Sequence, residues 1–176
     1  MSDDQANGRT PAQRAFIDTV HRGDVDALRS LFDEHSALRD DVNQPWFHFG
    51  ATALNTAVGA GNRAMIDLLL DHGADIDARS DWSMGPFGVL HIARGELARY
   101  LVERGATVDA CGAARMGDLD ALGRLIAAAP WRVHERGGDG KAPLHFAADV
   151  STAAWLLDHG ADLHLRCTDH HSTPVM

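Results

Sequence analysis

One phrase recurs along the chain and limits what it can fold into. Leu68-Leu69-Leu70-Asp71-His72-Gly73-Ala74-Asp75 returns as Trp155-Leu156-Leu157-Asp158-His159-Gly160-Ala161-Asp162, and in altered form as Tyr100-Leu101-Val102-Glu103-Arg104-Gly105-Ala106-Thr107. A unit of this size cannot bury its own apolar face, so its copies must stack. A second element precedes each copy: Thr52-Ala53-Leu54-Asn55, Gly88-Val89-Leu90-His91 and Ala142-Pro143-Leu144-His145. Two further units open alike, Gly23-Asp24-Val25-Asp26-Ala27-Leu28 and Gly117-Asp118-Leu119-Asp120-Ala121-Leu122. Together these place five helix pairs at about 10–39, 50–75, 86–107, 108–130 and 140–162.

Local chemistry agrees with helices at these places. Thr10-Pro11-Ala12-Gln13 has a capping Thr, a proline at the first helical position and a Gln that can close a capping box. Ala142-Pro143 keeps the proline and loses the Thr. Gly73, Gly105 and Gly160 follow leucine-rich segments and suit the left-handed residue that ends a helix. Ile66, Leu69 and Leu70 form a narrow apolar stripe that only a neighbouring pair can cover.

The Thr-Pro-Leu-His-type element followed by Ala, Leu-Leu and Gly-Ala-Asp resembles ankyrin repeats, best in Ala142–Ala148 with Asp158–Asp162. The irregular spacing resembles bacterial ankyrin proteins in particular. The resemblance implies an all-α, ankyrin-type helix-turn-helix solenoid of about five repeats, with short β-finger loops between them. Two repeats are shortened: Leu54 to Gly73 spans nineteen positions, Leu90 to Gly105 fifteen and Leu144 to Gly160 sixteen. The difference is about one helical turn. Between Val108 and Ala113 there is no room for a finger. The expected domains are a disordered N-terminus at 1–9, the repeats at 10–171, and a remnant of a sixth repeat at 172–176.

The net charge is -9 and no Lys/Arg stripe is present, which argues against nucleic acid and for a neutral or basic protein partner. The beginning of the chain lacks a signal-peptide pattern, and no apolar run approaches a membrane span. Cys111 and Cys167 match no paired metal or redox spacing. A cytoplasmic protein without membrane contact is the expectation.

In the resembled family, partners dock on finger tips and on the exposed face of the first helices. Aligned by motif, the first finger carries Trp46, Phe47, His48 and Phe49, the second Trp82, Met84 and Phe87, and the third Arg136, Asp139 and Lys141. Arg115 and Met116 fall on the first-helix face. Aromatics on loops are the residues that anchor interfaces. The competing reading is internal: shortened repeats leave gaps that large rings can fill.

Catalysis and cofactors have weaker support. His91 and His145 sit where the resembled motif uses a histidine to tie a helix start to its loop. His72 and His159 stand in last helical turns, where they can meet terminal carbonyls. His164, Cys167, Asp169, His170 and His171 are all capable zinc donors, but an extended strand would split them between two faces. Gly137-Gly138-Asp139-Gly140-Lys141 fails the spacing of a phosphate loop and reads as a tight turn. The sequence therefore predicts a non-catalytic interaction scaffold without cofactor. The alternatives are a regulatory or targeting segment of a larger protein or assembly docking by its C-terminal face, and a small metal-responsive module; the same C-terminal face is also a candidate for self-association.

Overall fold

The computed structural model describes residues 8–174. Residues 1–7 of the expected disordered tail and 175–176 of the expected remnant lie outside that range. The chain divides into two compact units, up to Asp81 and from Trp82 onward. Among the described residues every regular element is helical, and no helix is long and apolar enough to cross a membrane.

The first unit holds α1 (Pro11–Arg22), α2 (Val25–Glu34), α3 (Leu38–Asp41), α4 (Ala53–Gly59) and α5 (Arg63–Asp71). The box at Thr10 forms as the sequence predicts, with Thr10 N–H on Gln13 Oε1 at 2.9 Å and Gln13 N–H on Thr10 Oγ1 at 3.2 Å. Gly23 ends α1 in the left-handed region at φ 69°, and Asp24 at once caps α2 by accepting from Ala27 N–H at 3.0 Å. Asn62 caps α5 in the same way, and its amide donates to Gly23 O at 3.1 Å. That bond fastens one helix-pair turn to the next. α1 packs on α4 and α2 on α5, around buried Phe16, Leu28, Phe32, Leu54, Met65, Ile66 and Leu69.

The one-turn α3 has no counterpart in the sequence reading. It is held from outside, because Gln13 Nε2 donates to Asp41 at 2.8 Å. Just beyond it, Asn43 donates to Gly73 O at 3.1 Å and accepts from Asp75 N–H at 2.8 Å, so it closes the end of α5.

The second unit holds α6 (Val89–Ile92), α7 (Gly95–Glu103), α8 (Ala110–Met116), α9 (Leu119–Ala128), α10 (Pro143–Phe146) and α11 (Val150–Asp158). The predicted shortening is real: α6 and α10 have four residues each, where α4 and α8 have seven. Full-length α8 packs against both short helices. Its buried residues Ala110, Cys111, Gly112, Ala113 and Ala114 are all small, which lets neighbours approach closely. Leu122, Ile126, Leu144, Phe146 and Leu156 complete this core. The chain passes from α7 to α8 without a finger, as the spacing requires.

His72 and His159 take the structural place expected of them. Each lies close to the carbonyl four residues back, at 2.8 Å (Leu68 O) and 2.7 Å (Trp155 O). The fingers are loops closed by tight turns, and among the described residues they contain no strand.

Candidate interaction surface

The first and third fingers are the same turn built from different residues. In the first, Phe47 N–H donates to Ala51 O and Gly50 N–H to Phe47 O, both at 3.1 Å. In the third, Gly137 N–H donates to Lys141 O and Gly140 N–H to Gly137 O, both at 2.9 Å. Each turn carries two successive residues at positive φ: Phe49 at 57° and Gly50 at 64°, Asp139 at 59° and Gly140 at 63°. This backbone path, rather than aromatic content, decides which ring goes inside.

In the first finger, Phe47 turns inward. It is 1% exposed and packs edge-on to Phe16 at 6.2 Å and to His21 at 5.2 Å. Phe47 is a core residue and leaves the set of candidate binding residues. Trp46 is half-buried, edge-on to Phe16 at 6.5 Å, with the Arg9 guanidinium 5.0 Å above its ring. Phe49 points outward and is 51% exposed, with exposed His48 edge-on to it at 4.1 Å. A bulky residue in the left-handed region costs about 1–3 kcal/mol. Gly50 has to be glycine on two counts, since its positive φ is joined by Asp81 backbone 2.8 Å from where a Cβ would sit.

The second and third fingers lie directly against each other, because no finger separates α7 from α8. A Cβ on Gly85 would stand 2.1 Å from Gly140 N, and one on Gly138 would stand 2.2 Å from the Phe87 ring. Asp139 N–H donates to Gly85 O at 3.1 Å. Phe87 is half-buried on this contact, whereas Met84 is 40% exposed; Trp82 is half-buried. Arg136 is exposed, but its guanidinium donates to Gly140 O and, at 2.7 Å, to Arg166 O. Lys141 pairs with Asp139 at 2.9 Å. Arg115 and Met116 are half-buried at the end of α8, with Arg115 5.0 Å over the Phe146 ring.

The two motif histidines act as ties. His91 is 1% exposed; its Nδ1 accepts from Gly88 and Gly138 N–H, each at 3.3 Å. Nε2 therefore carries the proton and donates to Asp109 at 2.8 Å. Asp109 in turn caps α8 by accepting from Gly112 N–H at 2.7 Å. His145 repeats the arrangement, with Nδ1 accepting from Ala142 N–H at 3.2 Å and Nε2 donating to Ser172 O at 3.1 Å. Burial pushes the His145 pKa down, which keeps the ring neutral. Ser172 O also accepts from Cys167 N–H at 3.0 Å, so the start of the expected sixth-repeat remnant is fastened to the fifth pair.

The C-terminal donors do not assemble. Among the described residues no group of three or more His, Cys, Asp or Glu is placed to hold a metal ion. Cys167 is 1% exposed and lies 3.1 Å from Ser172 Oγ, while His164, His170 and His171 are exposed and Asp169 pairs with His170 at 3.1 Å.

A family model described as ankyrin repeats in three copies matches residues 16–111, and a single-repeat model matches 139–168. The chain belongs to the ankyrin-repeat family. Residues 112–138, which hold most of the fourth helix pair, fall outside both matches. The chain is 32% identical over 106 residues to protein phosphatase 1 regulatory subunit 27 of Mus musculus, covering 58% of this chain and 64% of that protein. It thus spans less than two thirds of that relative. It is 33% identical over 98 residues to the Notch-regulated ankyrin repeat-containing protein of Xenopus tropicalis, covering 52% of this chain and 81% of that one. Among solved structures it matches a chain in the complex of a predatory endopeptidase from Bdellovibrio bacteriovorus with an immunity protein. The TM-score is 0.53 at 20% identity, over 91% of this chain and 88% of that chain, which shows a shared fold alone. The ankyrin family implies a protein-interaction module.

Proposed function

We propose that the chain is a non-catalytic interaction module that takes a protein partner on exposed residues of each unit: Phe49 and His48 on the finger of the first, and, on the second, Met84 and the first-helix face at Arg115 and Met116. The observation that carries this reading is Phe49. It is a large aromatic held outward, half-exposed, on a backbone conformation that disfavours it. A half-exposed aromatic on a tight turn is the kind of residue that anchors an interface. Half-buried Trp46 and Trp82 serve as the walls of such contacts, and Phe87, Arg136, Asp139 and Lys141 hold the finger shape that presents them. Pre-ordered loops lose less entropy on binding. The regulatory-subunit relative accords with this role. A non-catalytic role fits His91, whose two ring nitrogens are both committed to structural bonds. Two free, buried cysteines accord with a reducing, cytoplasmic setting.

The test compares proteins retained from a cell lysate by wild type and by Phe49→Ser/Met84→Ser, with folding of both checked by circular dichroism. A protein retained by wild type and lost from the variant supports the reading; equal retention sinks it.

A specific observation favours a second reading, self-association through the last helix. On α11, Val150 is 85% and Leu157 41% exposed, and Leu163 just beyond is 38% exposed. Val150, Ala154 and Leu157 share one helix face by their spacing. Light scattering across a concentration series tests it. A dimer abolished by Val150→Glu/Leu157→Glu supports it, and a monomer throughout rejects it.

A further inference from the structure

The shortening of α6 and α10 has a chemical consequence. α8 keeps its last turn, and the helices on both sides have lost theirs. The space left beside Arg115 is a cavity of about 380 Å³, lined by Arg94, Arg115, Lys141, His145, Phe146, Ala147 and Ala148. Arg94 follows the shortened α6, and Ala147 and Ala148 follow the shortened α10. No carboxylate is among the lining residues, although the chain carries a net charge of -9.

We propose that this cavity is an oxyanion site for a phosphate group, held by Arg94 and Arg115 with Lys141 at its rim. Four observations support it. Arg115 Nε is buried and has no hydrogen-bond partner among the described residues. A buried guanidinium N–H left unmade is costly, and an oxyanion is the partner it accepts best. Burial first, and then the neighbouring positive charge of Arg94, push the Arg115 pKa down, so an anion between the two would relieve both effects. The Arg115 guanidinium lies over the Phe146 ring, 5.0 Å from its centre, a cation–π contact that holds it at the cavity wall. Finally, His145 has both nitrogens occupied and remains neutral, so it shapes the wall without competing for the anion. A dianionic phosphate matches the two arginines better than a single carboxylate does, while Lys141 at the rim keeps its pairing with Asp139.

The phosphate has two possible sources, free inorganic phosphate or a phosphorylated side chain of the partner. Only the second rests on the interaction reading. The experiment uses the full chain and reads the Arg115 Nε–H resonance in ¹H–¹⁵N spectra. It is titrated with inorganic phosphate and with N-acetyl-phosphoserine amide, and with sodium chloride at matched ionic strength as control. The expected result is a saturable Arg115 shift with phosphate that chloride does not reproduce, and binding about tenfold weaker in Arg94→Gln, the loss of one charge-assisted bond. Arg94 is exposed, so this variant should keep the fold. Tighter binding of the phosphoserine amide supports a partner-borne phosphate, and equal or tighter binding of inorganic phosphate overturns that source while keeping the site. A shift equal to that caused by chloride, or undiminished affinity in Arg94→Gln, overturns the site. Neither probe depends on Phe49 or Met84, so failure here and failure of the finger surface are separate results.

Discussion

The two units use one repeat plan to different ends. In the first, both pairs have full first helices, and the finger between them sends one aromatic ring into the core and presents another to solvent. In the second, two of three first helices are a turn short, and the fingers bind each other through glycine backbone. The difference teaches where a lost turn is compensated in this chain. It transfers packing from helix to loop and leaves a cationic hollow where the helix stopped. The first unit spends its aromatics on a core and a tip, while the second spends glycines to bring two loops together.

The sharpest way to break this comparison is inside the first finger. Phe47→Ala is expected to destabilise by about 3–5 kcal/mol in urea unfolding, as for other buried Phe truncations. Phe49→Ala, two residues away, should stay within about 0.5 kcal/mol. Equal effects would mean the finger does not separate inside from outside. In the second unit, Gly85→Ala combines a φ of 140° with a Cβ 2.1 Å from Gly140 N. It should cost at least about 1–3 kcal/mol, from backbone strain with the collision added. A neutral result would show that the two fingers are not in backbone contact.

A pH series sharpens the contrast, since the His145 tie belongs to the second unit. Its folded pKa lies below the ordinary histidine value, chiefly through burial. Its contribution is therefore fully present above the unfolded pKa near 6.5 and is lost as pH falls through the folded value. Wild type should be more stable at about pH 7.5 than at about pH 5, and His145→Gln should show a flatter profile over this window. Identical profiles would remove the tie. The smallest effect is a gain: Phe49→Gly should stabilise the chain by about 1 kcal/mol, because glycine accepts the left-handed region. A loss of stability there would show that the Phe49 ring is packed rather than presented.

The helix pairs, their boundaries and the two lost turns were legible, because repeat spacing registers them directly. The direction of Phe47 and Phe49 was not. Adjacent loop aromatics look alike until the backbone path is known, and Phe49 gives no left-handed signal of its own; only Gly50 after it, matching Gly140 after Asp139, offered a hint. The helix α3 escaped because its hold on Gln13 comes from far along the chain. Arg115 was recognisable as a residue on the open face, but its cavity depends on α6 and α10 both stopping short beside it. In the first and third fingers two successive left-handed residues close the loop as a tight turn, a detail that the repeat spacing does not register.

The most direct test of the central claim is hydroxyl-radical footprinting of the chain alone and with a retained protein partner. The account predicts that Phe49 and Met84 become protected while Trp131 and Val150, both well exposed in the free chain, react as before. Protection confined to Trp131 or to Val150 and Leu157, with Phe49 and Met84 unchanged, would contradict it.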